Sequence, residues 1–270
     1  MIYVGTSGFS FEDWRGSFYP PGIPRGQMLN YYGTRFPAVE INSTYYRLPH
    51  PQVTRQLAMK TPEGFRFTVK LQAEVTHRLS RDSSAYDAFR RVIEPLREAG
   101  KYAGTLAQFP WSFRAGSKNR DFLAFLRRAH GPGPIHIEFR HDSWAVPDTF
   151  RLLEDLGLGF CCVDEPSLEG LFPPLVHVCG PVAYVRLHGR NARQWWDAGP
   201  LRYDYLYSEE ELRAWADRIR ELAGRSREVL VFFNNCHRGQ AAENALRMGE
   251  LLGPAGGSTG SAAPAAADGT

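Results

Sequence analysis

Glu40, Glu138 and His188 lie at or near the ends of three runs in which apolar and polar residues alternate: Ala38-Val-Glu-Ile, Ile135-His-Ile-Glu and Val182-Ala-Tyr-Val-Arg-Leu-His. A positioned carboxylate or imidazole can give a proton to a reacting group or take one away. Lys70, Arg140 and Arg186 occupy equivalent places in the same kind of run. Guanidinium forks suit the planar, bidentate geometry of carboxylate and phosphate groups. Together these types suggest proton transfer on an anionic small molecule, in a reaction of the hydrolase or lyase kind.

Such residues need a scaffold that brings distant runs together. Strand side chains point to opposite faces with a period of two. In Pro134-Ile-His-Ile-Glu-Phe-Arg140 one face carries Ile135, Ile137 and Phe139, and the other His136, Glu138 and Arg140. Eight such runs are spaced along the chain: 2–4, 38–45, 65–72, 102–109, 135–140, 158–164, 182–188 and 228–235. Helical patterns fall between most of them, including 85–99, with Phe89, Val92, Ile93 and Leu96 at helical spacing, and 209–222, where Ser208 and Glu211 make a capping box. Residues 165–181 are rich in Pro and Gly and are expected to form a loop with at most one short helical turn. This alternation predicts an α/β fold of the TIM (β/α)8 barrel type with long βα loops. An open doubly wound sheet is the alternative, but no Gly-x-Gly-x-x-Gly or P-loop follows a strand.

In a closed barrel the apolar face of each strand packs on the helices, so the polar face must look into the lumen. That assigns Glu40, Asn42, Lys70, Gln72, Glu138, Arg140, Arg186 and His188 to the interior. The C-terminal ends of the strands, where barrel enzymes keep their sites, add Ser7, Tyr45, Gln108, Trp144, Asn234 and Asn235 as substrate contacts. Glu40, Glu138 and His188 are assigned to catalysis. Arg66 and His136 lie near the strand starts and are assigned to structure, and His77 is a weaker functional candidate. The competing account is a plug, in which the lumen charges pair with one another and do nothing else.

Composition bounds the rest. At 43% hydrophobic and 23% charged residues, the 270-residue chain is ordinary for a globular domain, and a net charge of +3 does not by itself indicate nucleic acid. The four cysteines form no Cys-x-x-Cys pair. No stretch approaches the length of a membrane span and no signal peptide precedes the first strand, so a cytoplasmic location is expected. Residues 1–252 are expected to form a single domain. Residues 253–270, rich in Gly, Ala, Ser and Pro, are expected to form a disordered tail.

Several motifs carry a resemblance. Gly5-Thr-Ser-Gly-Phe, Trp14-Arg-Gly, Phe18-Tyr-Pro, Val39-Glu-Ile-Asn-Ser-Thr-Tyr-Tyr, Phe67-Thr-Val-Lys, Gln108-Phe-Pro, Glu138-Phe-Arg with Ser143-Trp, Tyr184-Val-Arg-Leu-His-Gly and Phe233-Asn-Asn with Ala241 and Asn244 occur in order to about residue 250. In these the chain resembles the YecE-like family, the domain of unknown function 72. The resemblance implies a TIM barrel and implies no settled activity. The family habitually has Trp where this chain has Phe9.

No cofactor is expected, and a divalent metal is kept as an alternative. Glu138, Asp164 and His188 close strands five, six and seven, a placement similar to metal ligands in xylose-isomerase-like and apurinic-endonuclease-like barrels, although Asn235 stands where a Glu is expected. Under that alternative the barrel would cleave phosphodiesters or bind nucleic acid. Glu40 and Glu138 could also pair as a glycosidase does. A binding module is a further alternative, built on Trp14, Trp144, Trp195, Trp196 and the Tyr203–Tyr207 cluster. The expected partner is a small anionic ligand, with nucleic acid second.

Overall fold

The computed structural model describes residues 1–196 and 199–253. The expected tail beyond Gly253 lies outside the described residues. Eight parallel strands close one barrel in sequence order. They are β1 (Ile2–Ser7), β2 (Ala38–Ile41), β3 (Arg66–Lys70), β4 (Tyr102–Gln108), β5 (Ile135–Glu138), β6 (Gly159–Asp164), β7 (Val182–Leu187) and β8 (Glu228–Phe233). The helices are α1 (Met28–Gly33), α2 (Pro51–Met59), α3 (Ala73–Thr76), α4 (Ser83–Glu98), α5 (Ser117–His130), α6 (Pro147–Asp155), α7 (Glu209–Arg225) and α8 (Gln240–Leu252). The expected TIM barrel is therefore present. Among the described residues no helix is long and apolar enough to cross a membrane.

Each crossover is helical except that from β6 to β7. There residues 165–181 run without a helix, as the Pro- and Gly-rich sequence predicts, and Phe172 covers the barrel in its place. Its ring packs 5.6 Å from that of Phe160 and 6.3 Å from that of Phe139. At α7 the capping box forms as expected: the Ser208 side chain accepts from the Glu211 backbone N–H, and the Glu211 side chain accepts from that of Ser208.

The lower barrel is closed by structural polar groups. Arg66 pairs with Glu228 at 2.8 Å and lies over the Tyr3 ring. His136 lies against Tyr184, its Nε2 3.2 Å from the Val182 carbonyl oxygen. A Cβ on Gly159 would come within 2.4 Å of the His136 ring, so only glycine lets this imidazole fill the lumen. His136 and Arg66 thus have the structural places expected of them.

Candidate functional site

Above this layer, charges carried by or just after β2, β5, β6 and β7 meet. Arg186 on β7 donates to Glu40 on β2 and to Glu138 on β5, each at 2.7 Å, and to Ser7 Oγ at 3.3 Å. The Tyr184 hydroxyl donates to the second Glu40 oxygen at 2.6 Å. Arg140 lies 2.6 Å from the other oxygen of Glu138 and donates to Glu165 at 2.7 Å. Glu40, Glu138, Arg186 and His188 are all buried. Buried ions are tolerable only when paired. For Glu138, burial alone would raise the carboxyl; Arg140, Arg186 and His188 outweigh it and hold it well below the usual carboxylate range.

His188 completes the layer. Asn234 Nδ2 lies 3.0 Å from His188 Nδ1, and an amide nitrogen can only donate. His188 Nε2 lies 3.0 Å from Arg140 Nη2 and 3.2 Å from Glu138 Oε1. Burial first and Arg140 second push the imidazole well below its usual range, so His188 is neutral. Glu165 behaves in the opposite sense: burial pushes its carboxyl up to about 8 against the pull of Arg140.

A cavity of about 610 Å³ opens on top of this floor. Its wall includes Lys70 at the end of β3, Gln108 at the end of β4, Asn42, Tyr45, His77 and Asn234, under aromatic residues Trp111, Trp195, Trp196 and Tyr203. The loop between β7 and α7 supplies the last three. Lys70 Nζ donates to Gln108 Oε1 at 2.9 Å and lies 4.5 Å from the centre of the Tyr45 ring. Arg140 and Arg186 each bind two carboxylates, whereas Lys70 makes no ion pair among the described residues. Burial, followed by the charge of Arg186, lowers its amine to about 7. Burial, with Lys70 and Arg140, likewise lowers His77 to about 4.

The structure sorts the sequence candidates into three groups. Ser7, Asn42, Tyr45, Lys70, Gln108, Arg140, Arg186 and Asn234 border the cavity. Glu40, Glu138 and His188 lie beneath its lining, engaged in the floor. The remaining candidates point elsewhere. Trp144 is sealed behind the barrel wall, stacked on Phe139 and Phe113, with its N–H on the Phe113 carbonyl oxygen. Asn235 donates to Tyr205 O and Asn244 Oδ1, toward α8. Gln72, also expected inside, donates to the Ala85 carbonyl oxygen toward α4. All three follow the end of regular pleating, where period-two alternation no longer fixes direction.

Asp164 also needs correction. It faces outward and accepts a forked contact from Arg190, with Nε at 2.9 Å and Nη2 at 2.9 Å. It therefore does not converge with Glu138 and His188, and these three residues do not fit a shared metal. The interior carboxylate that follows this strand is Glu165, not Asp164. Its signal was present: Gly159, Cys161 and Val163 continue in steps of two to Glu165. Trp111 and Arg202 in the cavity wall were also missed, because no alternation marks loop residues.

Buried imidazoles set an acid limit on the fold. Burial lowers His130 and His136 to about 4 from 6.5, as it does His77. Between pH 4 and 6.5 the unfolded chain therefore binds more protons than the native one, and stability should rise with pH. Glu165, whose native carboxyl holds its proton longer than the unfolded one, opposes this with a single group. Urea unfolding across that window should show the net rise, and His136→Gln should reduce its slope by up to about 1.4 kcal/mol per pH unit. A stability that is flat or falls toward pH 6.5 would contradict these histidines being neutral.

Comparison with known proteins gives a consistent picture. The family described as "Protein of unknown function DUF72" matches residues 3–268. The UPF0759 protein YunF of Bacillus subtilis (strain 168) is 32% identical over 270 residues, covering 93% of this chain and 95% of YunF. A crystal structure of a DUF72 family protein from Thermotoga maritima MSB8 superposes with a TM-score of 0.88 at 45% identity, over 93% of this chain and 99% of that one. A DUF72 family protein from Enterococcus faecalis V583 gives 0.85 at 28% identity, over 99% and 100%.

Proposed function

Since the chain belongs to the DUF72 family, whose description carries no activity, we propose its function from the cavity itself: an enzyme acting on a small anionic substrate that bears a carboxylate or a phosphate. The observation that carries this is Lys70. It is a half-buried cation of the cavity wall with no ion pair among the described residues, beside Arg140 and Arg186, each of which pairs with two carboxylates. An ammonium without a counter-ion is costly to bury, and a bound anion would supply the missing charge. Asn42 Oδ1, buried in the same wall with no partner among the described residues, offers an acceptor for a substrate hydroxyl or amine. Trp195, Trp196 and Tyr203 would cover the apolar part of the ligand.

In this account Glu40, Glu138 and His188 act as a rigid base rather than as the proton carriers. Arg186 is held through Nη1 by Glu138 and through Nη2 by Glu40 and Ser7, so the floor holds the geometry of the wall above it. Lys70, which titrates near neutral pH, takes the general acid–base role.

Thermal melts in phosphate, sulfate and citrate, against chloride at equal ionic strength, test the proposal. Stabilisation should grow with anion concentration, to about 2.7 kcal/mol at a hundredfold excess over Kd. It should be absent in Lys70→Met. If no anion stabilises the protein beyond chloride, the anionic-substrate proposal fails and the plug account is preferred.

A further inference from the structure

We propose that Lys70 is a nucleophile that forms an imine with the carbonyl group of an anionic aldehyde or 2-oxo acid. The inference deepens the function proposed above and rests on it. A lysine whose only role was to hold an anion would do best as a permanent ammonium. The surroundings of Lys70 disfavour that form. Its nitrogen reaches an amide oxygen, Gln108 Oε1, and the face of Tyr45, and among the described residues it reaches no carboxylate. The nearest carboxylates, Glu40 and Glu138, are spent on Arg186 and Arg140. Desolvation beside other cations is the arrangement that leaves a lysine amine neutral and reactive in water's pH range, in keeping with its lowered affinity for a proton.

The placement suits the chemistry. Lys70 is the last residue of β3 and faces the cavity at the end of the barrel where strands deliver reactive groups. The Nζ lone pair adds to the carbonyl carbon, and the C=O π pair moves to oxygen. That oxygen takes up the proton shed by nitrogen. The carbinolamine then loses the same oxygen as water while C=N forms. Amine and carbonyl enter, imine and one water leave, and nothing is oxidised or reduced. His77, held neutral beside Tyr45 with ring centres 5.1 Å apart, is the imidazole of the wall able to relay these protons.

The chain has four lysines, at 60, 70, 101 and 118, so labelling can be mapped completely. The full-length protein is treated with formaldehyde or with glyoxylate, each with cyanoborohydride at about pH 7, and peptides are weighed. Lys70 should carry the reduced adduct from both, roughly tenfold ahead of exposed Lys118, and phosphate should suppress it. Lys70→Arg should remove this adduct and leave the labelling of the other three lysines unchanged. Preferential labelling by formaldehyde but not by glyoxylate would overturn the proposal together with the anionic-substrate account. Labelling of Lys70 no faster than Lys118 by either probe, while phosphate still stabilises the fold, would overturn the imine and leave the anion site standing. If phosphate also fails to stabilise, both fall. The mapping uses wild-type protein, so it decides the matter even if the variant does not fold.

Discussion

Arg186→Met should unfold the barrel or bring it close to unfolding, at a cost of about 3–5 kcal/mol, the usual penalty for stranding a buried charge. Arg186 joins Glu40 to Glu138, and all three are buried. Without it Glu138 keeps Arg140, but Glu40 keeps only the Tyr184 hydroxyl. Against a typical total stability of 5–15 kcal/mol that loss is severe. The same logic predicts rescue. Glu40→Gln added to Arg186→Met removes the stranded charge and should recover most of the loss, because well-packed neutral groups often replace a buried ion pair at little net cost. Urea unfolding of the two single variants and the double variant gives the coupling between the sites, expected to reach about 3 kcal/mol. A loss below about 1 kcal/mol in Arg186→Met would show that the floor does not depend on this guanidinium.

Lys70→Met should act in the opposite direction. It removes an amine that lacks a counter-ion and puts an unbranched apolar chain of similar length in its place. Stability near neutral pH should rise by about 1–2 kcal/mol, as happens when functional strain is relieved. The pH dependence identifies the cause. The native amine titrates at about 7 and the unfolded one at 10.5, so between those values the unfolded chain binds more protons. Wild-type stability should therefore climb across pH 7 to 10.5, and the variant should lack that climb. Anion-dependent stabilisation should vanish in the same variant. A large destabilisation by Lys70→Met would instead mean that the ammonium is a structural partner of the floor.

Much of this arrangement is legible in the sequence where alternation is clean. In β3, β5 and β7, apolar residues every second position fix Lys70, Glu138, Arg140, Arg186 and His188 to the lumen before any fold is seen. β6 is apolar on both faces, as parallel strands often are, and so Gly159-Phe-Cys-Cys-Val hides its parity. Asp164 reads as the end-of-strand carboxylate of the site, whereas Glu165 holds that place. β8 has the same defect: Asn234 and Asn235 follow a solid apolar run, and only Asn234 faces in. Trp144 ends a 3-10 helix, Asp142–Trp144, past the reach of any strand period.

Depth is the other quantity that alternation does not encode. A period of two tells which face a residue occupies, not whether its partners leave it free. Glu40, Glu138 and His188 are inside as expected, but they are bound to one another's neighbours beneath the cavity. The distinction between floor and wall depends on which charges outnumber which. Glu40 and Glu138 pair with Arg186 and Arg140, Glu165 tends to keep its proton, and Lys70 has no ion pair among the described residues.

That lysine is also the most direct point of attack. With four lysines in the chain, carbon-13 labelling at Cε gives four resolvable signals whose shifts follow the protonation of each amine. The account predicts that one signal titrates at about 7, that it moves upward when phosphate is added, and that it is missing in Lys70→Met. Four signals that all titrate near the ordinary lysine value of about 10.4 would contradict it.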